Sequence, residues 1–287
     1  MKHILHISDL HFWTITYNPF YLLNKRALGN LNLIFRRSHY IRQERTNSFL
    51  DLVGEIKPDA VLVSGDLTTT ALIREYEMAS NFLARVESLC PALFVIPGNH
   101  DYYTFESCRQ KRFETYSGHY ATRLDSTACC QLDAGVSLLH IPTVRANIIS
   151  SRGFISKEQI EATRAMVENS PEGQLIALAH YPYLDKTPEY HTKLSRRLSG
   201  ASRLRNALGD SGHSILYLAG HVHTFSHRRD PLYKSLTQVT SPALFYDKKR
   251  QAGGFTEIWM DKDGFQIFPW TYTEGWIREK ESLPESW

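Results

Sequence analysis

Short apolar runs recur along the chain, and each stops at a polar residue able to do chemistry. His3–Ile7 leads to Asp9 and His11. Ala60–Val63 leads to Gly65 and Asp66, and Leu93–Ile96 leads to Gly98, Asn99, His100 and Asp101. Leu175–Ala179 leads to His180, and Ile215–Ala219 leads to Gly220, His221, Val222 and His223. Runs of this length, rich in Ile, Val and Leu, read as strands buried on both faces. In layered α/β folds, ligands bind beyond the carboxyl ends of such strands. The pattern therefore predicts five strands that deliver side chains to one edge.

Amphipathic stretches fit between the strands. Glu44–Ile56 carries Phe49, Leu52, Val53 and Ile56 at helical spacing, and Thr70–Leu89 carries Leu72, Ile73, Tyr76, Met78, Phe82 and Leu83. Ser156 with Gln159 forms a capping box that opens a helix to about Asn169. Gly200–Leu208 is a weaker helix. Toward the C-terminus, Thr237–Val239, Gly254–Met260 and Phe265–Thr271 alternate in polarity, and Asp261–Gly264 is a hairpin turn, so antiparallel strands are expected to close a second sheet. The predicted fold is α/β: a four-layer αββα sandwich of two mixed β-sheets flanked by helices. Without a linker-like stretch, residues 1–287 are expected to form one domain.

Composition changes this picture little. A net charge of +3 does not imply nucleic-acid binding, and none is expected. The distribution of charge says more. Leu10–Gln43 contains no acid but has Lys25, Arg26, Arg36, Arg37 and Arg42. Tyr190–Gly209 also lacks acids and has Lys193, Arg196, Arg197, Arg203 and Arg205. Such segments frame an anionic substrate, face an anionic membrane, or are simply solvated. Cys90, Cys108, Cys129 and Cys130 form no CxxC pair and read as reduced, mostly buried thiols of a cytoplasmic protein. The N-terminal run is broken by His3, His6 and Asp9, unlike a signal peptide. No stretch approaches the ~18–20 apolar residues of a spanning helix.

The strand-end residues form a metal-ligand set. Two divalent cations a few ångströms apart need a bridging carboxylate, several imidazoles and an open position for water. Asp9 and His11 are two apart and can reach one ion as the chain turns. Asp66 follows a glycine and is the choice for the bridge. Asn99 offers an amide oxygen, His180 ends another strand, and His221 and His223 are again two apart. Singly, each has an ordinary alternative: Asp66 as a cap, Asn99 as a left-handed turn residue, His180 as a core histidine. Their coincidence at successive strand ends favours the metal site.

Asp9-Leu10-His11, Gly65-Asp66, Gly98-Asn99-His100-Asp101, His180 and Gly220-His221-Val222-His223 resemble the five-block signature of the calcineurin-like metallophosphoesterase superfamily, in order, over about residues 3–224. The resemblance implies that Asp9, His11 and His223 hold one metal, that Asn99, His180 and His221 hold the other, and that Asp66 bridges them. It implies that His100 acts on the phosphate or leaving group and that Asp101 orients His100. It implies Mn²⁺, Fe or both, with Zn²⁺ as the alternative. A metal-bridging hydroxide would then attack a phosphodiester or phosphomonoester of a small molecule. A cyclic nucleotide is one candidate, since the Asn-His-Asp and Gly-His-Val-His blocks look like the bacterial cyclic-nucleotide phosphodiesterase branch. Alternatives are a pyrophosphatase acting on a nucleotide-linked lipid at the membrane surface, and an inactive binding scaffold of the same fold.

Substrate choice is expected to lie in segment 12–43, which mixes Trp13, Phe20, Tyr21, Leu22, Leu23 and Phe35 with basic residues. It reads as a lid, as an element on the inner face of the membrane, or as packing against the domain. Tyr102-Tyr103 and Tyr181-Pro182-Tyr183 place rings near the site, either to stack on a base or to form its wall. The tail 272–287 is expected to dock on the domain or on a partner subunit.

Overall fold

The structure is a computed structural model that describes residues 1–16, 26, 39–121, 127–133, 135–147, 150–248 and 251–284. In chain order its main elements are β1 (Lys2–Ile7), α1 (Thr46–Ile56), β2 (Ala60–Val63), α2 (Ile73–Glu87), β3 (Leu93–Val95), α3 (Phe105–Arg109) and α4 (Arg112–Ser117), then β4 (Ala128–Asp133), β5 (Val136–His140), α5 (Lys157–Glu168), β6 (Gln174–Leu178), α6 (Ala201–Gly209), β7 (Ser214–Ala219), β8 (Ser226–Arg229), β9 (Leu236–Thr240), β10 (Gly254–Asp261), β11 (Gly264–Tyr272) and β12 (Trp276–Arg278).

Among the described residues the strands make two six-stranded mixed sheets. The first runs β12-β11-β10-β1-β2-β3 and the second β8-β9-β7-β6-β5-β4. β1, β2 and β3 are parallel, with Ile4 opposite Ala60 and Val61 opposite Leu93. β5, β6, β7 and β9 are parallel in the other sheet. Because strand side chains alternate, each sheet buries two faces. Ile4, Leu62, Leu138, Ile176, Leu216 and Ile258 fill the space between the sheets. Leu5, Ile7, Val61 and Val63 face α1 and α2, while Leu175, Ala177, Ile215 and Tyr217 pack with residues of α5 and α6. The result is the expected αββα sandwich.

Three details differ from the sequence reading. Of the three C-terminal strands only β9 joins the second sheet. β10 pairs antiparallel with β1 and so extends the first sheet, whereas β9 pairs parallel with β7. Alternating polarity marks half-buried strands but does not choose their neighbours. α2 starts at Ile73 and not at Thr70, because the buried Glu75 carboxylate accepts the N–H groups of Thr70 and Leu72 and the Thr70 hydroxyl, holding 70–72 as a non-helical cap. Ile73 consequently faces solvent. The four cysteines form no disulfide, but only Cys90 is buried: Cys108 and Cys130 are half-buried and Cys129 is exposed.

Most of segment 12–43 lies outside the described residues, so the lid and membrane readings of 17–25 and 27–38 are not addressed by the structure. Its flanks are anchored. Phe12 is buried against Phe82 and Phe245, and Ile41 bridges to Tyr246. Arg26 is fully buried and donates to the carbonyls of Thr70 and Ala71. Trp276 of the tail docks on the domain: its ring meets Phe49 and Phe255, and its indole N–H donates to the Ser48 hydroxyl. Among the described residues no helix is long and apolar enough to cross a membrane.

Candidate metal centre and active site

The loops beyond β1, β2, β3, β6 and β7 meet over the sandwich edge. Five of the seven expected ligands sit in the left-handed region: Asp9 (φ 53°), His11 (φ 52°), Asp66 (φ 55°), His221 (φ 68°) and His223 (φ 56°). Non-glycine residues adopt this conformation rarely and at a cost, so such clustering marks a site that the surrounding structure enforces. Glycines make the required close approaches. A Cβ on Gly98 would lie 2.1 Å from Asp66 Oδ1, and one on Gly220 would lie 1.8 Å from Ser8 Oγ.

The side chains fall into two groups joined by one carboxylate. In the first, Asp9 Oδ1 lies 3.0 Å from His223 Nε2 and 3.7 Å from His11 Nε2, and the two imidazole nitrogens are 3.1 Å apart. In the second, Asn99 Oδ1 lies 2.9 Å from His221 Nδ1 and 3.2 Å from His180 Nε2. Asp66 Oδ2 stands between them, 3.9 Å from His11 Nε2 and 3.5 Å from His180 Nε2.

Proton positions test whether this set suits metals. His180 Nδ1 faces the Ser64 carbonyl at 2.7 Å, so its proton sits there and Nε2 presents a lone pair to the oxygens of Asn99 and Asp66. His221 Nε2 faces the Arg196 carbonyl at 2.9 Å, which leaves the lone pair of Nδ1 aimed at Asn99 Oδ1. Burial lowers the pKa of both rings, keeping them neutral. Neutral nitrogens pointed at oxygens repel unless a cation lies among them. Asp9 Oδ1 is buried without a hydrogen bond of acceptable geometry. Burial alone would raise the Asp9 carboxyl, but the adjacent His223 above all holds it well below the usual carboxylate range. The donors, oxygen and neutral nitrogen with no thiolate, fit two divalent ions.

His100 is a half-buried residue of the cavity wall. Its backbone N–H donates to Asp66 Oδ1 at 2.6 Å, its Nδ1 faces the Thr69 carbonyl at 2.5 Å, and its ring stacks on Tyr103. The carbonyl fixes the proton on Nδ1, so proton transfer by this ring takes place at Nε2.

The expectation that Asp101 orients the His100 ring does not match the geometry. The buried Asp101 carboxylate accepts the N–H groups of Gly98 (2.8 Å), Thr68 (2.9 Å) and Leu67 (3.2 Å) and the Thr68 hydroxyl (3.1 Å). Burial pushes this carboxyl up to about 6, against donors that favour its charged form. Asp101 thus ties the loop after β2 to the loop after β3, and the Thr69 carbonyl orients the imidazole. Of the two aromatic runs, one ring each stands beside the site. Tyr103 and Tyr181 back the histidines from beneath, Tyr102 donates to Glu114, and Tyr183 packs on Tyr217. The tyrosines that line the cavity are Tyr40, Tyr190 and Tyr246. The backbone acceptors Ser64, Thr69 and Arg196 had no sequence signal, because a carbonyl carries no residue identity.

A family model described as calcineurin-like phosphoesterase matches residues 2–225. The chain belongs to the calcineurin-like phosphoesterase family. It is therefore a metal-dependent phosphoesterase of a family that uses dinuclear metal centres. It is 25% identical over 228 residues to a probable glycerophosphodiester phosphodiesterase GpdQ of Arcobacter nitrofigilis, covering 76% of each chain. It is 24% identical over 260 residues to the glycerophosphodiester phosphodiesterase GpdQ of Enterobacter lignolyticus, covering 85% of this chain and 77% of that one. Among solved structures, a dimetal phosphatase from Danio rerio superposes with a TM-score of 0.65 at 12% identity over 98% of both chains, and PhoD with 0.59 at 9% identity over 99% of this chain and 72% of that one. These two share its fold.

Proposed function

We propose that this phosphoesterase hydrolyses a phosphodiester of a small molecule at two divalent ions held by Asp9, His11 and His223 on one side, by Asn99, His180 and His221 on the other, and by Asp66 between them. The position of Asp66 Oδ2, between His11 Nε2 at 3.9 Å and His180 Nε2 at 3.5 Å, carries this reading. A carboxylate shared by two donor groups is what holds paired cations a few ångströms apart. The donor set suits Mn²⁺ or Fe, with Zn²⁺ next. Such ions, when bound, polarise phosphoryl oxygens and bring the pKa of a coordinated water toward neutrality.

The chain's own residues do the rest. Hydrolysis joins a water oxygen to phosphorus and breaks one P–O ester bond, and the departing alcohol oxygen takes up a proton. His100 lines the cavity beside Asp66 and delivers that proton at Nε2, its other nitrogen being held by Thr69. Asp101 keeps the two loops in register and so positions His100. The diester preference is supported by the relatives named glycerophosphodiester phosphodiesterases.

The test is hydrolysis of bis-p-nitrophenyl phosphate and of p-nitrophenyl phosphate by protein reloaded with Mn²⁺ after chelation, beside an Asn99→Ala variant. Metal-dependent turnover that favours the diester and disappears in the variant is expected. Turnover that survives chelation, or a monoester preference, would overturn the proposal.

A further inference from the structure

The metal cluster forms only the floor of a cavity of about 410 Å³. Its walls are the segment 190–196, with Tyr190, His191, Thr192, Lys193 and Arg196, and the strip of Tyr246 and Lys248 beside Tyr40 and Ile41. Among the described lining residues Asp66 is the one carboxylate, while Lys193, Arg196 and Lys248 bring three cations. A dinuclear centre already neutralises the phosphate it holds, so these cations are in excess of what the scissile group requires.

Several neighbouring basic residues are neutralised: Arg197 pairs with Asp185 at 2.7 Å, Arg205 with Asp230 at 2.6 Å, and Arg45 with Asp247 at 2.6 Å, while the exposed Arg203, outside the cavity, has no carboxylate partner among the described residues. Among the described residues, Lys193 and Arg196 pair with no carboxylate, and both are exposed. Leu10–Gln43 contains no Asp or Glu, so nothing in that segment can neutralise them. Thr192, next to Lys193 in the same wall, is buried and its hydroxyl has no hydrogen-bond partner among the described residues. A cationic wall without counter-charge, beside an unsatisfied hydroxyl, fits an anionic group of the ligand.

A contact with the ligand cluster limits which group this is. The Arg196 carbonyl accepts from Nε2 of His221, the ring whose other nitrogen joins the ligand cluster, at 2.9 Å. The basic segment therefore begins one residue away from the reacting centre, within reach of an adjacent phosphate.

From this we infer that the substrate carries a second phosphate next to the scissile one, bound by Lys193 and Arg196 with Thr192 and Lys248. The inference rests on the phosphoesterase reading above but concerns substrate class alone. The second phosphate is either anhydride-linked, as in a nucleoside diphosphate ester, or a separate ester on the same small molecule.

The experiment has two arms. In the first, Mn²⁺-loaded protein is titrated calorimetrically with AMP and ADP, which requires no turnover. ADP is expected to bind about tenfold or more tightly than AMP, and the Lys193→Gln/Arg196→Gln double variant, checked for an unchanged melting temperature, is expected to lose that advantage. Equal affinities in the wild type, or an advantage kept by the variant, would overturn the inference. A variant that fails to fold is replaced by Lys248→Gln, for which a partial loss is expected and no loss would count against the inference. In the second arm, kcat/KM is compared for UDP-glucose, glycerophosphoinositol 4-phosphate and glycerophosphocholine. A preference for UDP-glucose identifies the anhydride source and one for the inositol phosphate the separate ester, whereas preference for the choline ester would contradict the assignment. Failure of bis-p-nitrophenyl phosphate hydrolysis together with a positive ADP result would sink the catalytic reading and leave the phosphate site standing.

Discussion

The floor and the wall of the cavity are built by opposite rules. Floor residues are buried or half-buried and stand at strand ends, five of the seven ligands adopt left-handed backbone, and carbonyls of Ser64, Thr68 and Thr69 fix the rings of His180, His11 and His100. The wall residues Lys193, Arg196 and Lys248 are exposed and stand outside the two large sheets, and Arg196 is tied to the floor through its carbonyl. Rigid placement is what paired metals demand, since misplaced ligands lose both affinity and reactivity. Adaptable charge suffices to choose among phosphate compounds. On the proposed reading, the floor sets the reaction and the wall the substrate.

Variants that break this division should differ in kind. Asp66→Ala is expected to have the largest effect, leaving no measurable hydrolysis and less bound metal by elemental analysis. His100→Gln is expected to lower kcat by about 10²–10⁴-fold with metal content retained; loss of metal instead would make His100 a ligand. The wall variant Lys193→Gln/Arg196→Gln is expected to raise KM for a two-phosphate ester by about tenfold, with kcat changed less. A fall in kcat alone would assign these residues to the chemistry.

Stability measurements sharpen the same contrast. Asp101→Asn removes a carboxylate that accepts four hydrogen bonds and is expected to cost about 3 kcal/mol in urea unfolding, with a fall in kcat as the Thr69 carbonyl shifts. A changed pH profile at undiminished stability would instead restore Asp101 to direct contact with His100. Thr192→Val, in the wall, is expected to gain about 1 kcal/mol, because it removes a buried hydroxyl that lacks a partner. A loss would mean that the hydroxyl is satisfied in solution.

The floor was legible in the sequence and the wall largely was not, for the same physical reason. Metal ligation needs particular side chains at particular spacings, so Asp9, His11, Asp66, Asn99, His180, His221 and His223 stood out, and the structure brings all seven together. The strands bearing them were legible because burial on both faces writes apolar runs. Which strands pair was not, and β10 and β11 joined β1 against expectation because alternation carries no partner information. Asp101 was misread because an Asn-His-Asp run suggests contact between neighbours, whereas its carboxylate turns to the backbone of Leu67 and Thr68. For the wall, the acid-free stretch 190–209 gave the charge but not its direction, which depends on ion pairs formed far along the chain, such as Arg205 with Asp230.

The measurement closest to the central claim is electron paramagnetic resonance of the protein loaded with two equivalents of Mn²⁺, wild type against Asp66→Ala. A carboxylate bridging two ions predicts the spectrum of an exchange-coupled pair in the wild type and of isolated ions, or unbound metal, in the variant. An uncoupled spectrum in the wild type at full loading, or coupling that survives loss of Asp66, would contradict the account.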